Sequence, residues 1–233
     1  MKKLYLCILA LFLFSTLLMA QVESDPSEIV GYVAYDCLTL VDGADLLGNN
    51  LIALALEKEH NTAVALGQSF PEGDINAITP WDPAGQAWDD SAAYDEIAGW
   101  FGDFALGQGY VYMINVTTAF TFYSKGLLLP DVQRDLLYDA VEDSGNNLVM
   151  VPLSKNELSD AIALANDIGA VGVCNVVTPW DSEGQAWDDS AAYDEIAGWF
   201  GNFNIEIAMP LMINVTEEVL SWPAAETRFQ ASN

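Results

Sequence analysis

The sequence predicts a strand-dominated α+β fold made of two tandem homologous modules of about 98 residues each. Residues 85–102, GQAWDDSAAYDEIAGWFG, recur letter for letter at 184–201, and the motifs at 79–82 and 113–117 also recur 99 positions later. A period this long makes each copy domain-sized, whereas solenoid repeats have roughly 20–50 residues. Between turn-forming residues, the copies carry short runs rich in β-branched and aromatic residues, which favour strands.

Residues 1–20 are expected to be a secretory signal peptide. Lys2 and Lys3 precede an uncharged apolar run that ends at Met19, and Ala20 stands at the expected cleavage point. An uncleaved membrane anchor is the alternative, because about 17 apolar residues are the lower limit for spanning a bilayer. The chain is therefore expected to be secreted, extracellular or at the cell surface, with the periplasm as an alternative and no membrane span after cleavage.

The repeat sets the expected boundaries of the mature chain. The offset between the copies is 97 residues at Asn49 and 99 residues from Thr79 onward, so one small insertion distinguishes the second copy. The expected parts are a polar lead-in, module 1, module 2 and a polar tail, at residues 21–28, 29–126, 127–224 and 225–233.

Each module is expected to open with two strands. The first covers residues 29–38, and its counterpart at 127–138 has a weaker pattern. Continuous apolar runs at 50–56 and 147–153 predict a strand buried on both faces. Pro152 places the second of these at a sheet edge or strand end, because proline cannot donate to a ladder.

A helix is predicted after the second strand. Apolar residues recur at helical spacing over 158–168, with Ser159 or Asn156 as the cap and Gly169 closing the segment. The corresponding residues 62–68 of the first copy have a weaker helical pattern. Each copy is therefore expected to contain one helix at this point.

The second half of each module is expected to consist mostly of strands. In the first copy, strands at 77–79 and 86–88 flank residues 82–85, whose Asp, Pro and Gly are typical of a hairpin turn. Strands at 110–116 and 119–123 are expected to form an antiparallel pair that ends the copy.

A short helix is predicted between these strands. Asp90 and Ser91 have the residue types that cap a helix, and the segment continues to Ile97. Gly99 would supply the left-handed residue that ends such a helix.

These landmarks resemble uncharacterised tandem modules of secreted bacterial surface proteins. The resemblance is carried by the Asn50-Leu51 strand opening, the Trp81-Asp82 turn, Gly107-Gln108-Gly109-Tyr110, and Met113-Ile114-Asn115-Val116. It implies export and a repeat architecture, and it implies no reaction and no catalytic residue. The second copy departs from the pattern, because Glu206, Ala208 and Met209 replace Gly107, Gly109 and Tyr110.

The charge and composition restrict the class of partner. The chain has 34 acidic and 7 basic residues and a formal net charge of −27. Nucleic acid is therefore not expected as a partner, because phosphate binding uses clustered Lys and Arg. Hydrophobic residues make up 52% of the chain and aromatic residues 11%, enough for a packed core.

Six tryptophans are equivalent between the copies and are candidate ligand-binding residues: Trp81, Trp88, Trp100, Trp180, Trp187 and Trp199. Their faces could stack on sugar rings, while neighbouring carboxylates bind hydroxyls. The alternative is that they fill small β-rich cores, where tryptophan contributes a large buried area. Trp88 and Trp187, each followed by two aspartates, are expected to be the most exposed.

The duplicated acidic residues are candidate calcium ligands: Asp89, Asp90, Asp95, Glu96, Asp188, Asp189, Asp194 and Glu195. Calcium takes six to eight oxygen ligands, which clustered carboxylates can supply. However, the spacing does not match an EF-hand loop. The alternative is a solvated cluster that caps local structure. No other cofactor is expected.

Cysteine and histidine limit the remaining chemistry. Cys37 and Cys174 occupy non-equivalent positions, and they could form a disulfide between the modules or remain as two buried thiols. His60 is the only histidine, so a two-histidine zinc site within one chain and a duplicated catalytic triad are excluded.

The leading interpretation is a secreted, non-enzymatic surface or matrix protein that binds glycan through its tryptophan-bearing faces. Its expected partners are an extracellular glycan or a surface protein. A calcium-stabilised adhesive module is the second hypothesis. A glycoside-active enzyme that uses the duplicated carboxylates is the third, since glycosidases place two carboxyl groups about 5–9.5 Å apart.

Overall fold

The computed structural model describes residues 30–39, 48–56, 60–127 and 131–224. The predicted signal peptide, lead-in and tail lie outside the described residues.

The first copy holds β1 (Val30–Cys37), β2 (Gly48–Ala53), α1 (Ala63–Gly67), β3 (Ile75–Asp82), β4 (Ala87–Trp88), β5 (Ala92–Asp95), β6 (Gly99–Phe101), β7 (Val111–Val116) and β8 (Phe120–Leu127). The second holds β9 (Arg134–Leu136), β10 (Asn146–Met150), α2 (Ala161–Ile168), β11 (Cys174–Asp181), β12 (Ala186–Trp187), β13 (Ala191–Asp194), β14 (Gly198–Phe200), β15 (Pro210–Val215) and β16 (Val219–Trp222). The fold is strand-dominated, and the α+β label fits it weakly because α1 has five residues and α2 eight.

Each copy forms one antiparallel six-stranded sheet with the same topology. The strand orders are β2-β7-β3-β5-β6 and β10-β15-β11-β13-β14, with β4 paired to the end of β3 and β12 to the end of β11. Two smaller sheets join the first and last strands of each copy, β1 with β8 and β9 with β16. The expected pairing of residues 110–116 with 119–123 is therefore wrong, because β7 lies between β2 and β3 while β8 pairs with β1.

The two helices begin at side-chain caps. Thr62 Oγ1 accepts from Ala65 N at 3.3 Å, and Asp160 Oδ1 accepts from Ala163 N at 2.9 Å. The helix predicted at 158–168 is present from Ala161, and its cap is Asp160 instead of Ser159 or Asn156. Both caps satisfy a backbone donor that a helix start leaves unpaired.

The predicted helix ending at Ile97 is wrong, since this segment forms the β5–β6 hairpin. Asp95 Oδ1 accepts from Ile97 N at 2.9 Å and Ala98 N at 2.7 Å, which fixes a turn instead of a helix start. Gly99 has the expected positive φ of 75°, but it closes the hairpin.

Three hydrophobic clusters form the core of the part of the chain that the structure describes. One lies within each copy, around Ile78 in the first and Val177 in the second, between sheet and helix. The third lies between the copies, where Leu51 and Ala53 join Leu148. Strand β2 sends alternate side chains into its own core and into the third cluster, so the prediction of a strand buried on both faces is confirmed.

Candidate functional site

The contact between the copies is built from reciprocal hydrogen bonds. Trp81 Nε1 donates to Asn146 O at 3.0 Å, and Trp180 Nε1 donates to Asn49 O at 2.9 Å. Trp81 and Trp180 are repeat equivalents, as are Asn49 and Asn146. Each copy therefore offers the other the same surface, as the subunits of a two-fold symmetric dimer do.

Two glutamines, in the turns that precede β4 and β12, complete this contact. Gln86 Oε1 accepts from Asn146 N at 2.8 Å, and Gln185 Oε1 accepts from Asn49 N. An indole N–H and an amide oxygen together thus bind the N–H and C=O of one residue, as a neighbouring strand would. Because β2 and β10 are the outer strands of their sheets, these side chains cap edges that would otherwise be open to pairing.

A second reciprocal contact joins the opening strand of each copy to a turn of the other. The Tyr35 hydroxyl donates to Ala208 O at 3.0 Å, and the Arg134 guanidinium donates to Gly109 O at 3.0 Å. Gly109 has φ 76° and Ala208 has φ 64°, so the second copy keeps the left-handed turn with alanine in place of glycine. We call these two hydrogen bonds the turn contacts.

A cleft of about 400 Å³ lies between the copies beside the Arg134 turn contact. It is lined by Trp81, Pro83, Tyr110 and Val111 of the first copy, and by residues 133–137 and 147–149 of the second. The Arg134 guanidinium lies 5.2 Å from the centre of the Tyr110 ring. Desolvation lowers the pKa of Arg134 to about 10, which leaves the side chain charged at neutral pH.

The polar groups of the cleft keep bonding capacity for a ligand. Gln133 Nε2 donates to Ser221 O at 3.2 Å and Pro223 O at 2.9 Å, and Asp135 Oδ1 accepts from Ser221 N at 2.8 Å. These bonds hold both side chains in place and leave one oxygen of each for other partners. A guanidinium has five N–H donors, of which the turn contact uses one.

The six candidate tryptophans occupy three kinds of position. Trp81 and Trp180 are half-buried at the contact between the copies, and Trp81 also lines the cleft. Trp100 and Trp199 are half-buried against the two module cores.

The remaining pair is the most exposed, as the sequence predicts. Trp88 and Trp187 are each 38% exposed, and their rings lie edge-to-face at 5.3 Å and 5.2 Å from those of Trp81 and Trp180. They are thus the most exposed of the six candidate tryptophans, and neither of them lines the cleft.

Four of the eight duplicated acidic residues bind the backbone of their own turns, and the other four, Asp90, Glu96, Asp189 and Glu195, are exposed. Asp89 Oδ1 accepts from Asp90 N at 2.8 Å, and Asp188 Oδ1 accepts from Asp189 N at 2.7 Å. Asp194 repeats the bonds of Asp95, with Ile196 N at 2.9 Å and Ala197 N at 2.8 Å. In the described part of the chain, no group of three or more His, Cys, Asp or Glu residues is placed to hold a metal ion.

The same backbone bonds set the ionisation of two of these carboxylates. Donation by Ala98 N and Ile97 N lowers the pKa of Asp95, and the equivalent bonds lower the pKa of Asp194. A general acid in glycoside hydrolysis needs a raised pKa instead. These two residues are therefore poorly suited to that step.

Cys37 and Cys174 are free thiols in separate cores. Cys37 belongs to the cluster of the first copy and Cys174 to that of the second, and the structure does not join them. The disulfide expected as one of two alternatives is not formed, because each side chain points into its own module. Burial raises the pKa of both thiols to about 12.

Arg134, Tyr110 and Gln133 line the cleft without having been candidates from the sequence. The sequence contains one indication that Arg134 is a candidate, namely that it is one of only seven basic residues in the chain. Nothing in the repeat pattern points to it, because its equivalent in the first copy is Tyr35.

None of the helices within the described ranges is long and apolar enough to cross a membrane. Comparison with protein-family models, with curated proteins and with solved structures finds no match to this chain.

Proposed function

We propose that the protein is a secreted, non-enzymatic surface or matrix protein that binds glycan in the cleft between its two copies. The observation that carries this proposal is the composition of the cleft. Trp81 and Tyr110 supply aromatic faces, and Arg134 and Asp135 supply a donor and an acceptor beside them. Sugar rings present apolar faces and hydroxyls, which match this combination of surfaces.

The size of the cleft agrees with a small ligand. Its volume of about 400 Å³ falls within the ~300–1,000 Å³ typical of small-molecule sites. One or two sugar rings would fill it, so a longer glycan would be held at one end or at one internal residue.

The proposed location rests on the sequence. The first twenty residues have the three regions of a signal peptide, and the repeat landmarks resemble modules of secreted bacterial surface proteins. The proposed lack of catalysis rests on the single histidine and on the use of the duplicated aspartates in turns.

The first test is a broad glycan screen on the chain from residue 21, followed by calorimetry on any ligand found. Tyr110→Met introduces the residue type that stands at the equivalent position of the second copy, Met209, and removes the ring from the cleft. We expect this variant to lose about 10-fold or more in affinity, equivalent to ~1.4 kcal/mol.

Trp187→Ala is the matched control, because Trp187 is exposed and does not line the cleft. Its affinity should stay within about twofold of the parent protein, under 0.5 kcal/mol. A blank screen would refute glycan binding. A loss at Trp88→Ala and Trp187→Ala, with Tyr110→Met unchanged, would move the site to the exposed tryptophans.

Adhesion through the duplicated hairpins is a second candidate function, favoured by a different observation. All residues of 85–102 recur at 184–201, yet only Ala92 among them is buried. Some buried core positions differ between the copies, as at Ile78 and Val177. If both copies had accumulated substitutions without selection on the hairpin, the exposed positions would differ more than the buried ones, since surface positions tolerate change better than packed ones.

Each hairpin presents an apolar tip. Ile97 is 98% exposed and Ile196 is 97% exposed, and Phe101 and Phe200 are exposed beside them. An adhesive function predicts that Ile97→Ser with Ile196→Ser abolishes retention of the protein on the producing cells. Unchanged retention of the doubly substituted protein would remove this candidate.

A further inference from the structure

The two turn contacts provide a comparison within one molecule. Tyr35 and Arg134 stand at equivalent positions, each three residues before a leucine. The N–H of Leu38 donates to Asn50 on β2, and the N–H of Leu137 donates to Asn147 on β10. Each donates, at 3.0 Å, to the carbonyl of the equivalent turn residue in the other copy, which is Ala208 for Tyr35 and Gly109 for Arg134. A neutral phenol is therefore sufficient for this contact, and the positive charge of Arg134 is not required by it.

The charge of Arg134 has no acidic partner within the described residues. The guanidinium donates to the carbonyl of Gly109 and lies against the ring of Tyr110. Asp135 follows Arg134 on β9, and its carboxylate is held by Ser221 N on β16. A partly buried cation without a carboxylate is unusual, because burying a charge is costly unless the charge is paired.

The described residues that line the cleft beside Tyr35 include an acidic side chain and no basic one. It has a volume of about 320 Å³ and is lined by Tyr35 and Glu206 together with apolar residues and Asn204. The two clefts adjoin equivalent turn contacts, yet the Arg134 cleft holds a guanidinium beside the Asp135 carboxylate, whereas the described lining of the Tyr35 cleft holds the Glu206 carboxylate and no cation. An anion would therefore be repelled from the Tyr35 cleft, and in the other cleft it can pair with Arg134.

We propose that the Arg134 cleft binds a sugar carrying a carboxylate, of the uronic acid class, with Arg134 holding the carboxylate. This inference rests on the proposed glycan-binding function and adds the charge of the ligand. The planar guanidinium fork pairs with a carboxylate through two parallel hydrogen bonds. Tyr110 and Trp81 then lie beside the sugar ring, and Asp135 offers an acceptor for a hydroxyl.

The net charge of −27 opposes the approach of such a ligand. At an ionic strength of about 0.15 M the Debye length is only ~8 Å. Repulsion between the ligand and distant acidic residues is then largely screened, whereas attraction between the ligand and Arg134 inside the cleft is screened much less. Binding should therefore be measured at this ionic strength.

The test compares three ligands by calorimetry on the chain from residue 21: tri-galacturonate, its methyl ester, and a sulfated galactose trisaccharide. The methyl ester keeps the shape of the ligand and removes its charge. We expect tri-galacturonate to bind about 10-fold or more tightly than the ester, and more tightly than the sulfated sugar. This arm needs no substitution and so does not depend on the folding of a variant.

Two variants then assign the preference to a side chain. Arg134→Tyr introduces the residue of the first copy, keeps a donor for Gly109 O, and should reduce the ratio of the two affinities to about one. Tyr35→Phe, the matched control, removes the other turn contact and should leave the ratio unchanged.

The possible failures are distinguishable. Equal affinity for tri-galacturonate and its ester, or a preference that survives Arg134→Tyr, overturns the inference and leaves glycan binding intact. Tighter binding of the sulfated sugar also overturns it, because the recognised group would not be a carboxylate. Absence of binding to every glycan in the broad screen refutes the proposed function itself.

Discussion

Removing the indole N–H of Trp81 should destabilise the contact between the two copies. Trp81→Phe deletes the hydrogen bond to Asn146 O, which has a length of 3.0 Å, and leaves that edge carbonyl with the longer 3.2 Å bond from Gln86 Nε2. A hydrogen bond of this kind contributes about 1 kcal/mol net. The smaller ring gives up roughly 40 Å² of apolar contact, equivalent to ~1 kcal/mol at ~25 cal/mol per Å². The expected loss is therefore about 2 kcal/mol.

Trp180→Phe removes the equivalent bond to Asn49 O and should cost the same amount. The two bonds share no residue, so the double variant is expected to lose about 4 kcal/mol. Urea unfolding followed by circular dichroism would measure these values. In a melting experiment, each single substitution should lower Tm by roughly 4–8 °C.

Trp88→Phe is the matched control, because it deletes the same atoms from a ring that is 38% exposed and packs edge-to-face on Trp81. Its cost should stay below about 0.5 kcal/mol. Equal losses at Trp81 and Trp88 would refute the reasoning, since the hydrogen bond between the copies would then contribute nothing.

Three further predictions concern ionisation, thiols and calcium. Backbone bonds lower the pKa of Asp95 and Asp194, so both contribute stability above their unfolded pKa near ~3.9 and lose it as the pH falls through the lower folded value. Replacing both by alanine should flatten the acid side of the urea midpoint against pH, and an unchanged curve would contradict this. Cys37 and Cys174 should be inert to Ellman's reagent in the native protein and should both react after unfolding, whereas a disulfide would yield no thiol in either state. Millimolar calcium should raise Tm no more than magnesium does, and a specific rise reversed by EDTA would favour the calcium-stabilised alternative.

The sequence was sufficient for the repeat and for most strands, because strand patterns and the two-copy offset are local or periodic signals. The β5–β6 hairpin was mistaken for a helix because an Asp-Ser pair before apolar residues suits a helix cap as well as a turn. Whether such a segment becomes a helix or a hairpin depends on the strand it can pair with, and that strand is formed by residues distant in the chain. The pairing of β7 with β8 was predicted wrongly for the same reason. Strands adjacent in sequence usually pair, but β8 pairs with β1, which lies far from it in the chain.

The candidate site was only partly predictable. The tryptophans were found because they recur, yet recurrence does not distinguish Trp81 at the contact from Trp88 on the surface. The repeat does not indicate Arg134, because the cleft depends on a position where the copies differ, whereas the repeat indicates only residues that are identical in both. The partners of Trp81 and Arg134 lie in the other copy, and no local pattern indicates them.

The reciprocal capping of β2 and β10 has a genetic consequence. An in-frame exchange between the two identical 18-residue segments would delete 99 residues. The shortened product would carry one module, whose outer strand would have lost the tryptophan and glutamine that shield it. Such a chain would need a second molecule of itself to supply them, and without one its bare edge would favour aggregation. We therefore expect a single-module chain to dimerise or aggregate, because each module depends on its neighbour to cover the edge of its sheet.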